Sequence, residues 1–213
     1  AVNQGLNAGW DSVTIMDWIL LAGVPAVIIS GLVQESAKMV PIYFWWRRSG
    51  KNLTPLMGLA IGAVVGAGFG IFEAFSQIGA TLGTGWTTAA IGTDGFIGIA
   101  PFWERFFTIA FHTSASALVG YGLAKGKPWK FLIIAISVHS VMNYASLIYQ
   151  HWFLSTGGMF GGYVPVVEME TYIAVVAVLT TAAVMLLRWS DRFHGQGGLL
   201  PDDSPEDTPF GAV

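Results

Sequence analysis

Long apolar runs recur five times along this chain of 213 residues, and four of them carry isolated charged, amide or imidazole side chains. A helix needs about 20 apolar residues to cross the ~30 Å hydrocarbon core of a bilayer. The stretches at about 14–46, 53–78, 101–124, 129–152 and 166–188 are each long enough. The pattern predicts an all-α polytopic membrane protein with about five transmembrane helices. The first stretch is too long for one straight crossing, so Pro41 should kink it, or its last turns should follow the interface. Between 79 and 100 the chain is rich in Gly and Thr, and a short interfacial or re-entrant piece is expected there. In the second span Gly58, Gly62, Gly66 and Gly70 recur every four residues, with Gly68 beside them. Such a face lets a neighbouring helix backbone approach closely.

The interruptions are Gln34-Glu35 with Lys38, then Glu73, then Glu104-Arg105 with His112, then His139 with Asn143. A charge at mid-helix in a membrane costs roughly 2.5–3.5 kcal/mol even on mild scales. A chain that accepts this cost repeatedly is expected to use these groups together.

Composition supports the membrane class, because 11% of residues are charged and 54% are hydrophobic, against about 25% charged in soluble domains. The formal charge is −3, yet Asp202, Asp203, Glu206 and Asp207 all fall at the C-terminal end, and without them the body stands at +1. No acidic or basic partner surface is indicated, and no nucleic-acid partner. The absence of cysteine excludes disulfides and thiolate chemistry. Residues 1–12 lack the basic segment of a signal peptide, and a start on Ala1 is compatible with removal of an upstream segment. Residues 1–194 are expected to form a single transmembrane helical domain, and residues 195–213 a disordered acidic tail.

Charge also alternates between the connections. Arg47, Arg48 and Lys51 follow the first span, Lys125, Lys127 and Lys130 the third, and Arg188 and Arg192 the last, whereas 1–13, 79–100 and 153–165 have no Lys or Arg. The positive-inside rule then places the N-terminus outside and the C-terminus in the cytoplasm. Trp45, Trp46, Trp86, Trp103, Trp129, Trp152 and Trp189 fall near predicted span ends, where amphipathic rings favour the headgroup zone.

With 1.5 Å of rise per residue, His112 and His139 fall near the middle of their spans. Glu35 lies somewhat past the centre of the first, and Glu73 in the outer third of the second. The polar groups are thus expected to converge between mid-membrane and the outer leaflet. His139 and Asn143, spaced i, i+4, share one helix face. Each group has a bland reading alone. His139 and His112 read as structural histidines, Asn143 as an interhelical hydrogen-bond donor, and Glu35 with Lys38 as a buried ion pair. Glu104-Arg105 reads as an interfacial pair, and His151 and His194 as uninvolved. Together, two carboxylates and two imidazoles suit general acid–base chemistry on water. Glu35 would take a proton from water held by His112, and His139 or Asn143 would donate to a developing oxyanion. One divalent metal such as Zn on Glu35, His112 and His139 is the lesser option, since the His-Glu-x-x-His signature is missing.

The order of these motifs is similar to that of PrsW-type and YhfC-like intramembrane proteases, within the superfamily of type II prenyl-protein endopeptidases. Gln34-Glu35-Ser36-Ala37-Lys38 resembles their Glu-Glu-x-x-Lys motif, and Phe69-Gly70-Ile71-Phe72-Glu73 their Phe-x-x-x-Glu motif. His139-Ser140-Val141-Met142-Asn143 resembles the final His-x-x-x-Asp/Asn motif, and 104–122 the His-bearing third core helix. The resemblance implies a glutamate-type protease that activates water inside the membrane, with Glu35, Glu73, His112 and His139 catalytic and Asn143 steadying the oxyanion. No cofactor is then required. It also implies a membrane protein as substrate, such as a single-span anti-sigma factor, in a prokaryotic cell membrane. Gln34 stands where the family usually has a first Glu, and an amide is no base at neutral pH. A natural variant, an inactive relative and an inactivating Glu→Gln change all fit Gln34. Rival readings are a transporter or proton-pathway protein, or a non-catalytic scaffold.

Overall fold

The computed structural model describes residues 12–83, 85–155 and 163–196. Among the described residues six helices follow in order: α1 (Ser12–Arg48), α2 (Pro55–Gly83), α3 (Ala89–Asp94), α4 (Ala100–Ala124), α5 (Pro128–Ser155) and α6 (Tyr163–Gln196). A 3₁₀ turn at Gly95–Ile99 leads from α3 into α4, and no strand occurs among the described residues. Five of these helices contain segments long and apolar enough to cross a membrane: Asp17–Arg48, Pro55–Gly83, Ala100–Ala124, Pro128–Ile148 and Met169–Phe193. This matches the five stretches read from the hydropathy pattern. The chain is an integral membrane protein of all-helical architecture.

Helix α1 has 37 residues and continues through both Pro25 and Pro41, so Pro41 does not end it. The Gly/Thr-rich segment after α2 contains the short α3 and the 3₁₀ turn, while α2 itself runs on to Gly83. The Trp86 indole donates to the Gly98 carbonyl at 2.8 Å, and its ring packs edge-on against Phe102. The acidic tail expected from 195 lies outside the described residues beyond Gln196, as do residues 1–11.

Helix α4 is the central element. Two-thirds of its span is buried, compared with about a quarter or less for the other four. Its sequence explains this, since Ser114, Ala115, Ser116, Ala117, Gly120 and Gly122 give it small side chains over most of its girth. Helix α2 packs along one side of α4, with α5 and α6 on others, while α1 packs chiefly on α5. The core between them comprises Ile42, Phe111, Val119, Leu132, Met142 and Ile173 among others. Large side chains such as Val64, Phe72, Phe75 and Leu179 point outward and stay exposed. A continuous apolar exterior of this kind is what lipid contact requires.

The α2–α4 contact follows from the glycine repeat. A Cβ added at Gly62 would collide with the Ser116 carbonyl oxygen, and one at Gly66 with the His112 carbonyl oxygen. The two backbones therefore touch without intervening side chains, and this sets how close Glu73 comes to His112. Gly68 has nothing within 4 Å of its Cβ direction and takes no part.

Candidate active site

Glu35 and Lys38 are spaced i, i+3 on α1, so both face the same neighbours. Both are buried, at 1% and 2% exposure, with their charges paired at 2.5 Å between Lys38 Nζ and Glu35 Oε1. The same ammonium lies 3.0 Å from His112 Nδ1, across the α1–α4 contact. His112 Nε2 lies 2.7 Å from Glu73 Oε2 on α2. On the opposite side, His139 Nδ1 of α5 is 2.6 Å from Glu35 Oε1. Five side chains from four helices thus form one connected network.

The proton arrangement follows from donor counting. An ammonium only donates, so His112 Nδ1 is the acceptor for Lys38 and Nε2–H donates to Glu73. A carboxylate only accepts, so His139 Nδ1–H donates to Glu35, which leaves Nε2 as the lone-pair nitrogen of that ring. Glu35 Oε2 is buried and has no hydrogen-bond partner. The imidazole centroids are 5.1 Å apart, with Phe111 edge-on to His139 at 5.5 Å and Phe69 edge-on to His112 at 5.2 Å. These aromatic rings hold the imidazole planes in a low-dielectric pocket.

A cavity of about 330 Å³ opens above this network, and its walls include Glu73, His112, His139 and Asn143. Glu35 and Lys38 are not on its wall. They lie behind the imidazoles. Glu104 and Arg105, assigned from sequence to the interface, also line the cavity, and their side chains pair with one another. Gln77, Thr108 and Ser146 complete its polar wall.

Asn143, one turn from His139, donates to Ser30 Oγ on α1 at 3.2 Å. Gln34 Nε2 donates to the same hydroxyl at 3.0 Å, and Gln34 Oε1 is buried without a partner. Ser30 is therefore the common acceptor that connects the two amides, and sequence reasoning missed it. Its one signal is the i, i+4 spacing before Gln34.

One carboxylate oxygen and one nitrogen from each of His112 and His139 lie within 4.8 Å of one another around Glu35. A carboxylate with two imidazoles is a donor set suited to zinc and related divalent cations, and the unpartnered Glu35 Oε2 is compatible with such an ion. His112 would join it only by releasing Lys38 or Glu73, since both its nitrogens are engaged.

A family model described as PrsW family intramembrane metalloprotease matches residues 3–185. No curated protein and no solved structure matches the chain.

Proposed function

Because the chain belongs to the PrsW family of intramembrane metalloproteases, we propose that its cavity hydrolyses a peptide bond of a membrane-associated protein. The observation that carries this reading is the Glu35–His112–His139 cluster, buried at the floor of a polar cavity between apolar spans. Such a floor combines a carboxylate, two imidazoles and restricted access of bulk water, which suits polarisation of a single water molecule.

In this reading His139 Nε2, whose opposite nitrogen is fixed by Glu35, accepts a proton from the attacking water. Glu35 stabilises the imidazolium that forms, acting through His139 from behind the cavity wall. The Glu73–His112 pair holds a second imidazole toward the cavity. The Asn143 amide, one turn away from His139, donates to the developing oxyanion. Lys38 balances the charge of Glu35 and so keeps two carboxylates compatible with one buried site. A divalent cation such as zinc, if held by Glu35, His112 and His139, would instead supply Lewis-acid polarisation of water and carbonyl, and His139 would then serve as a ligand and not as the base.

The alternating charge of the connections supports an N-terminus outside and a C-terminus in the cytoplasm, and a prokaryotic cell membrane is the proposed setting. The cavity would then face the outer half of the bilayer. A single-span membrane protein such as an anti-sigma factor is the proposed substrate, cleaved near its outer juxtamembrane segment.

The test is cleavage of a single-span reporter by the purified chain in detergent or nanodiscs, against Glu35→Gln and His139→Ala. Wild-type cleavage with loss of at least about a hundredfold in both variants is expected, as for removal of a general base. Equal cleavage by all three would refute the assignment. A chelator arm reports on the metal, with loss of cleavage that zinc restores as the expected result.

Gln34 favours a second reading, an inactive relative, because this amide occupies the first Glu position and has a buried, unpartnered oxygen. Gln34→Glu separates the two. A silent wild type that gains cleavage on this change is a disabled enzyme.

A further inference from the structure

Eight of the ten basic residues lie at the end of the bundle formed by the α1–α2 and α4–α5 connections and the last turns of α6. A second cavity, of about 460 Å³, opens at this end. Its polar side is built by Arg188 and Arg192 on α6 and by Lys125 just after α4. Its apolar side is formed by Pro55, Leu56 and Leu59 at the start of α2.

The charges in this cavity do not balance. Asp191 accepts from Lys125 Nζ at 2.8 Å and from the Tyr121 hydroxyl at 3.3 Å, so its charge is matched by Lys125. Arg188 and Arg192, spaced i, i+4 on one face of α6, make no ion pair among the described residues. The positive end of α2 adds to the same field, since the first turn of a helix presents unpaired N–H groups. Exposed Trp189 and Trp45 mark this level as the headgroup zone. Two guanidinium groups without an ion pair among the described residues, at headgroup depth beside an apolar wall, match a ligand with a phosphate head and an apolar body. Arginine is suited to this, because its planar fork pairs two oxygens of a phosphate.

We propose that this cavity is a binding site for an anionic glycerophospholipid, with its phosphate on Arg188 and Arg192 and its acyl chains along Leu56 and Leu59. The apolar wall and the depth distinguish it from a site for free phosphate. The proposal is independent of the protease reading, since it concerns the opposite end of the bundle.

Native mass spectrometry of the purified full chain tests it, using detergent that contains equimolar phosphatidylglycerol and phosphatidylcholine. Wild type should retain phosphatidylglycerol preferentially. Arg188→Gln with Arg192→Gln should lose this preference, by about fivefold for each arginine removed, with helicity unchanged by circular dichroism. Lys127→Gln, outside the cavity, should leave it intact. Absence of a preference in wild type, or its persistence in the double variant, overturns the proposal. Inorganic phosphate should fail to displace the lipid, and displacement at millimolar phosphate would assign a free-anion site instead.

Discussion

A buried ammonium is tolerated only when acceptors surround it, and Lys38 has Glu35 and His112 within hydrogen-bond distance, with the Phe69 ring centroid 5.3 Å away. Lys38→Met would leave Glu35 as a buried charge with only His139 to support it. Breaking one side of such a pair costs about 3–5 kcal/mol, so thermal unfolding in detergent should move to clearly lower temperature. Adding Glu35→Gln to Lys38→Met should recover part of that loss, because the uncompensated charge is gone. A double variant less stable than Lys38→Met alone would contradict this coupling. At Asn143 the expected change is in catalysis and not in folding. Asn143→Ala should lower kcat by about a hundredfold with little effect on KM, as for loss of one oxyanion donor. Ser30→Ala, which releases the Asn143 amide together with that of Gln34, should have a smaller effect of the same kind. The i, i+3 and i, i+4 spacings made Glu35 with Lys38 and His139 with Asn143 legible as pairs. Ser30 was not legible, because a serine in an apolar helix acquires a role only when α1 and α5 are known to touch. For Glu104 and Arg105, position near a helix end suggested an interfacial pair, and only the packing of the neighbouring helices shows that they also line the cavity.

The glycines of α2 differ in consequence although they look alike in sequence. Gly66 faces the His112 carbonyl, whereas Gly68 faces open space. Gly66→Ala must push α2 away from α4 and lengthen the 2.7 Å contact between His112 and Glu73. Both reporter cleavage and thermal stability should fall. Gly68→Ala meets nothing and reduces backbone entropy in the unfolded chain, so it should be neutral or stabilising by roughly 0.5–1 kcal/mol. Equal effects of the two changes, measured in the same melting series, would mean that the backbone contact does not govern the site. The repeat of four was visible in the sequence, and so was its use as a close-packing face. Which helix it packs on was not, since periodicity within one element carries no information about its partner. Burial of α4 was similarly hidden. Its polar and small residues lower its apparent hydropathy, yet they are what let it occupy the centre.

At the scale of the molecule, the separation of basic and non-basic ends is the clearest global property, and it was legible from charge alone. Because the chain has no cysteine, single substitutions can report sidedness without background. Thr88→Cys, on the segment before α3, should react with a membrane-impermeant maleimide on intact cells. Lys127→Cys, between α4 and α5, should react only after permeabilisation. The reverse pattern would invert the proposed orientation and place the first cavity toward the cytoplasm. The two cavities lie at opposite ends of the bundle, so the proposed lipid contact and the proposed peptide chemistry would be separated by most of the length of α4 and α6.

The network at the floor of the first cavity draws on α1, α2, α4 and α5, and its last member, His139, lies on the fourth of the five spans. A nascent chain inserted helix by helix holds Glu35 and Glu73 long before either has both imidazoles beside it. The constellation is complete only when α5 has entered the bilayer and docked on α1. Under the proposed mechanism, a product truncated before α5 would lack His139 and should be inert.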